Sequence, residues 1–181
     1  MRFSFIPNHM NDYGPMTLVS KRLDVAESGD VFAHRERGYV PQGNLGLHAR
    51  NLQFVKVLGP SGPLSVLNFH GLWNGLGKGD SDERIAQSQR ILDFLDGRRE
   101  PFVLCGDFNL LPGAKSLRML ESAGLRNLVV ESGVASTRTS LYARPERFAD
   151  YVLVSDGVAV RDFRVLPGEV SDHVPLLPEF D

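Results

Sequence analysis

Cysteine is almost missing from this chain. Cys105 is the only one in 181 residues, so no disulfide can form within it. It sits in the apolar run FVLC (residues 102–105), which predicts a small buried side chain rather than a reactive thiol. Long hydrophobic runs are missing too. No stretch approaches bilayer-spanning length, and the opening MRFSFIPNHMNDYG lacks the uninterrupted apolar core of a secretory leader. These absences predict a cytoplasmic protein with no membrane partner. Neither charge sign is in excess: 20 Lys and Arg face 22 Asp and Glu, a formal net charge of -2. That excludes the global basic footprint of a nucleic-acid binder and leaves only local patches, at Arg35 and Arg37, at Arg98 and Arg99, and over residues 138–147. No Cys/His set has zinc spacing, and there is neither a Gly-rich Walker loop nor a Gly-x-Ser-x-Gly elbow.

What remains is an ordinary globular composition, 42% hydrophobic and 23% charged, at a length that predicts a single domain over residues 1–181. TLVS (17–20) reads as a short strand. LQFVKVL (52–58) and LSVLNFH (64–70) flank the turn cluster GPSGP and predict an antiparallel hairpin. From Asp80 to Asp96 the pattern becomes helical, with Ile85, Ser88, Leu92 and Leu95 on one stripe and Ile91 beside it. Asp80 suits the N-cap, Glu83 completes a capping box, and Gly97 suits the position just past the end. PFVLC follows as a buried strand, then a second helix over 115–123 ended by Gly124. DYVLVS (150–155), VAVRDFRVL (158–166) and a short stretch after Ser171 read as strands. Many strands with two or three helices and no βαβ repetition predict a layered α+β domain.

Polar clusters stand where these strands begin or end: His70, Asp107 with Asn109, Asp150, and Asp172 with His173. Strand-end loops are where a rigid scaffold holds functional groups. Residues two apart in extended chain share a side, which aims Asp107 and Asn109 together and turns Phe108 to the core. The strand is expected to stop at Gly106. Asp172 and His173 reach one site only if their loop bends. Taken singly, each cluster is an ordinary turn, cap or satisfied histidine. Jointly, carboxylate and carboxamide oxygens suit Mg²⁺ or Mn²⁺, and with histidines they are the parts for hydrolysing a phosphate ester with water. Asn74, Arg138 and Thr139, with Thr137 and Tyr142 near them, are the groups expected to grip the substrate phosphate. Trp73 is available for stacking. Arg84 and Gln87 read as structural hydrogen-bonders.

The motifs NFHGLW, LCGDFN, FADYVLVS and SDHVPL, in this order, resemble the endonuclease/exonuclease/phosphatase superfamily from about Thr17 to Pro178. The resemblance implies a deoxyribonuclease I-like, four-layer α/β sandwich, two packed sheets with helices outside. It implies metal-dependent hydrolysis of a phosphodiester or phosphomonoester, on nucleic acid or a small molecule. Position by position, it makes Asp107 a water-activating metal ligand and Asn109 a phosphate or transition-state contact. Asp172 would bind metal, Asp150 would orient His173, and His70 would be an acid or phosphate contact. Whether Asp107 or His173 is the base stays open. The family also opens with a strand bearing an asparagine and a later Gln-Glu pair that binds metal. No match is found here: Asn8 and Asn11 lack strand context, and Glu27 follows the LVSK strand. The chain thus resembles the family without its first strand-helix unit. That implies weaker metal binding and lower stability than an intact member, and allows a non-catalytic phosphate-binding remnant as the alternative. A monomer is expected.

Overall fold

The computed structural model describes residues 1–5, 7 and 13–181; Asn8 and Asn11 lie outside the described residues. The order of elements is β1 (Arg2–Phe5), β2 (Met16–Val19), β3 (Asp24–His34), β4 (Arg50–Gly59), β5 (Gly62–His70), α1 (Asp82–Leu95), β6 (Phe102–Asp107), α2 (Lys115–Ser122), β7 (Arg126–Asn127), α3 (Leu128–Glu131), β8 (Asp150–Val154), β9 (Val160–Val165) and β10 (Leu176–Phe180).

Alternation along one strand explains the layering. In β6, Phe102 and Leu104 point to a core shared with Ile91 and Leu95 of α1 and Leu117 and Leu120 of α2. Val103 and Cys105 point the other way, toward Phe163, Leu176 and Phe180. Cys105 is packed among these apolar groups, and burial pushes its thiol up to about 11, as expected of an inert core cysteine. β6 lies inside a six-stranded sheet of order β3-β4-β5-β6-β8-β7. The β4–β5 pair is the expected antiparallel hairpin. β5 and β6 are parallel, joined through α1, and β8 runs antiparallel to β6.

The helices cover one face of this sheet. On the other face lie two antiparallel two-stranded ribbons, β1–β2 and β9–β10, which are not hydrogen-bonded to each other. Val19 of the first ribbon packs on Val55 and Val57 of β4, and the second covers β6 and β8. An apolar cavity of about 310 Å³ remains beneath β10, lined by Val66, Val103, Val152, Leu176 and Phe180. Among the described residues, no helix is long and apolar enough to cross a membrane.

Three local expectations are corrected. The N-cap of α1 is Ser81, whose hydroxyl accepts from Arg84 N at 3.3 Å, not Asp80. Asp80 instead caps α2, accepting from Lys115 N at 2.7 Å, Ser116 N at 2.8 Å and Ser116 Oγ at 2.6 Å. The buried stripe of α1 is rotated: Arg84, Gln87, Ser88, Ile91 and Leu95 are buried, while Ile85 and Leu92 are half-exposed. Arg84 is buried because its guanidinium ties the β5–α1 loop, donating to the carbonyls of Leu72, Gly77 and Gly79. Gln87 Oε1 accepts from Leu72 N at 3.1 Å, so both residues are the structural hydrogen-bonders expected of them. Finally, β6 runs through Gly106 to Asp107 rather than stopping at Gly106.

Candidate active site

Strand register puts the polar strand ends on one rim. His70 is the cross-strand partner of Asp107, and Asp107 is the partner of Asp150. Two glycines make the close approach possible. At Gly106 (φ 135°) a Cβ would lie 2.0 Å from the Phe69 carbonyl oxygen, and at Gly71 one would lie 2.3 Å from that of Phe108. The β5 backbone can therefore lie against the exit of β6, where Gly71 N donates to Asp107 O at 2.6 Å.

Beyond Asp107 the chain does not continue extended, so strand alternation is not what aligns Asp107 with Asn109. Asn109 is left-handed (φ 53°), a conformation asparagine tolerates. Its amide N–H donates to Asp107 Oδ1 at 2.8 Å, and its Nδ2 donates to Gly71 O at 3.2 Å. Asp107 Oδ1 is thereby engaged and Oδ2 faces the cavity rim. Phe108 turns into the core as expected, 1% exposed.

The loop carrying Asp172 and His173 does bend. Ser171 Oγ accepts from His173 N at 3.1 Å, and Arg138 and His173 form an isolated antiparallel bridge. His173 Nδ1 lies 2.8 Å from both Asp150 carboxylate oxygens, which fixes the proton there and leaves Nε2 to accept from Arg138 Nη1 at 2.6 Å. The bond to Asp150 raises the basicity of His173 against the opposing effect of burial. Burial in turn pushes the Asp150 carboxyl up, with the His173 bond opposing. Thr137 Oγ1 accepts from the Ala149 and Asp150 amides and so fixes the start of β8.

Arg138 lies across the site. It donates from Nη1 to Asp172 Oδ2 at 2.8 Å, approaches Asp107 Oδ2 at 3.6 Å, and stacks 4.3 Å from the Tyr142 ring centre. Asp107 Oδ2 is also 3.8 Å from His173 Nε2 and 4.0 Å from His70 Nε2. Burial, then the nearby Arg50 charge, lowers the pKa of His70.

The structure thus brings together His70, Asp107, Asn109, Arg138, Asp172 and His173 around one cavity of about 580 Å³, with Asp150 behind His173. Two expected substrate groups lie elsewhere. Asn74 holds its own loop, accepting from Leu76 N, and Thr139 Oγ1 donates to Ser171 O and so supports the Asp172–His173 loop. Trp73 does line the cavity, stacked with Arg144 at 5.0 Å.

Three neighbours escaped the sequence reading. His48, just before β4, and Arg50, its first residue, line the cavity, and the strand-end rule applied to LHARN would have found them. Arg50 is 2% exposed, and burial lowers its pKa to about 10. Lys78 is also 2% exposed, near Asp107, Arg138 and Asp150, with Nζ 5.0 Å from the Tyr142 ring centre and no hydrogen-bond acceptor among the described residues. Its GKGD context gave no signal of burial.

Asp107, Asp150 and His173 offer ligand atoms within 4.8 Å of one another. Carboxylate oxygens suit Mg²⁺ or Mn²⁺, and the imidazole is the better match to Mn²⁺. Asp172 lies outside this trio, on Arg138.

Comparison with known proteins identifies the family and the fold. The family model described as Endonuclease/Exonuclease/phosphatase family matches residues 4–173. No curated protein matches significantly. Solved structures share the fold. One is an endonuclease/exonuclease/phosphatase from Bacteroides vulgatus: TM-score 0.74 at 16% identity, covering 99% of this chain and 76% of that one. Another is a family protein from Bacteroides thetaiotaomicron: TM-score 0.74 at 20%, covering 98% and 74%. A third is a mannosyl-6-phosphatase from the same organism: TM-score 0.69 at 17%, covering 99% and 77%. The deoxyribonuclease I-like α+β sandwich implied by the motifs is therefore the fold of this molecule. With the family model matching nearly the whole length, the chain belongs to the endonuclease/exonuclease/phosphatase family of hydrolytic phosphoesterases.

Proposed function

We propose that this chain hydrolyses phosphate esters in the cavity at Asp107, with Asp107 and His173 handling the attacking water. The observation that supports this best is the convergence on Asp107 Oδ2. Arg138 at 3.6 Å, His173 at 3.8 Å and His70 at 4.0 Å stand beyond direct hydrogen-bond length and within reach of one bridging water. His173 takes the proton at Nε2, because Asp150 holds Nδ1–H and raises the basicity of the ring. Arg138, which occupies Nε2 in the free chain, turns to the phosphate when an ester enters, and Nε2 is released. His70, whose pKa is lowered, stays neutral near pH 7 and contacts a phosphate or leaving oxygen. Asn109 holds the Asp107 turn.

Asp107 with the nearby Asp172 would hold a divalent cation, Mg²⁺ or Mn²⁺, leaving His173 and Asp150 to their shared proton, and the ion would supply charge neutralisation at the phosphate and the leaving oxygen. The test is hydrolysis of an aryl phosphodiester and an aryl phosphomonoester with Mg²⁺, with Mn²⁺ and with chelator. Metal-dependent turnover is expected, falling about 100-fold or more in Asp107→Ala with the fold retained by circular dichroism. A folded wild-type chain that turns over neither ester with either metal would overturn the reading. Preference for the monoester would align it with the mannosyl-6-phosphatase, and preference for the diester with nucleases.

A further inference from the structure

A second and larger cavity, about 790 Å³, opens at the end of β3 against α1. Its walls include Phe32, His34, Arg35, Arg37, Tyr39 and Arg90. Arg37 is committed to Asp30 at 3.0 Å. Arg35 and Arg90 have no carboxylate within ion-pair distance among the described residues; Arg90 donates to Ala33 O and Arg35 lies 5.0 Å over the Tyr39 ring. Two glutamates, Glu36 and Glu83, are in the lining; Glu83 is turned to Ser81 at the start of α1 and feels the Arg35 charge without forming an ion pair with it. His34 is buried at 7%. Desolvation, then the charges of Arg35, Arg90 and Arg50, hold its imidazole below its usual pKa. Arg35 takes a left-handed conformation (φ 58°), uncommon for a residue other than glycine, which must be kept when the residue is replaced.

This cavity is on the same rim as the candidate active site. His34 is the cross-strand partner of Arg50, which lines the other cavity. From β3 to β6 is three strand steps, which sets the two strand ends roughly 14 Å apart. Both cavities pair aromatic rings with guanidinium groups: Tyr39 with Arg35 here, Trp73 with Arg144 and Tyr142 with Arg138 there. Rings spaced along a cationic track are how single-stranded nucleic acid is held, base on ring and phosphate on arginine.

We propose that the β3 cavity is a distal anion subsite, in which Arg35 and Arg90 hold a phosphodiester of the same single-stranded oligonucleotide whose scissile phosphate lies at Asp107. This rests on the hydrolytic reading of the Asp107 cavity and names its substrate class. At a stacked rise of about 3.4 Å per nucleotide, the gap spans about four nucleotides. A dinucleotide therefore reaches one cavity and an octanucleotide reaches both.

The variant Arg35→Asn, Arg90→Gln removes both charges while keeping a residue that tolerates φ 58°. Its first readout is binding of a fluorescent octanucleotide in chelator, without turnover. Affinity is expected to fall about tenfold for each guanidinium removed. The slope of log affinity against log salt is expected to flatten by about 0.7 per phosphate released. Dinucleotide binding should not change. The second readout is turnover. In the wild type, kcat/KM should rise from dinucleotide to octanucleotide, and the variant should flatten that rise without altering hydrolysis of the aryl phosphodiester. Equal octanucleotide affinity and salt slope in both proteins would overturn the subsite. Aryl ester turnover with no length dependence would point to a small-molecule substrate and overturn it too. Absence of any turnover would count against the hydrolytic reading alone, because the binding readout would still decide the subsite.

Discussion

Lys78 is the least economical residue near the site. The residue is 2% exposed, its ammonium has no hydrogen-bond acceptor among the described residues and only the Tyr142 ring at 5.0 Å against it, and burial lowers its pKa to about 8 even with Asp107 and Asp150 favouring the charge. A buried ammonium without a hydrogen-bond acceptor carries a desolvation cost that an aromatic face and distant carboxylates offset only in part, and an apolar side chain of similar shape relieves it. Lys78→Met is therefore expected to raise Tm by several degrees at about 2–4 °C per kcal/mol. It should also slow phosphate-ester turnover, because a positive charge beside the carboxylates is lost. A thermal melt showing a lower Tm would mean that the ammonium is well paired in solution. Gly106 has the opposite character. An alanine Cβ there would overlap the Phe69 carbonyl at φ 135°, so Gly106→Ala should cost at least about 3 kcal/mol and shift the denaturant midpoint accordingly. The sequence marked Gly106 as the end of its strand, whereas the structure shows that it is needed for close strand approach. Nothing local in GKGD distinguishes a buried lysine from a solvated one, because burial there is decided by Tyr142 and the β5–α1 loop closing over it.

At the scale of elements, the sequence was most readable where one side chain determines one local geometry. The hairpin, both longer helices and the strand leading to Asp107 followed from period, turn residues and glycines. β3 was missed because DVAESGDVFAH carries acids and a glycine where a strand is expected to alternate, and its residues are held by pairing along β4. Asp80 shows a second kind of failure. An aspartate before a helical pattern was assigned to that helix, yet it caps a helix 35 residues later. Partial burial opposes its ionisation, but the Ser116 hydroxyl and the Ser116 and Lys115 amides outweigh this and hold the carboxyl below its ordinary value. A depressed folded-state pKa contributes stability that is fully present above the unfolded value and lost as pH falls through the folded one. Asp80→Ala is therefore expected to lower stability by about 1 kcal/mol at neutral pH. The gap from wild type should stay constant down to about pH 4 and close below it. A gap that instead widened in acid would show that the Asp80 carboxylate does not cap α2.

The whole molecule has a layer that its local pattern does not complete. The strand-end motifs were enough to locate the rim, because adjacent strands pair in register at that end and bring His70, Asp107 and Asp150 side by side. The second sheet was not readable as two separate ribbons, since their placement depends on long-range packing on β4 and β6. In the β1–β2 ribbon, Ser4 and Thr17 turn inward to Gln53. The alternation then sends Phe3, Phe5, Met16 and Leu18 outward, at 73%, 38%, 56% and 55% exposure. Phe3 is the cross-strand partner of Leu18 and Phe5 of Met16, so the four side chains form one continuous apolar patch. A patch of this kind makes a chain sticky, because burying it against any apolar surface is favourable. Phe3→Glu with Leu18→Lys places an ion pair at one cross-strand position and leaves the inward face untouched. The double variant is expected to bind less of an apolar-surface dye and to scatter less light on heating. Tm should hold within a few degrees, since exposed pairs contribute only about 0.2–1 kcal/mol. Ester turnover should be unchanged, because neither residue lines the Asp107 cavity. Unchanged dye binding would show that the patch is already covered in solution. A large fall in Tm would show that Phe3 and Leu18 pack against the body of the domain.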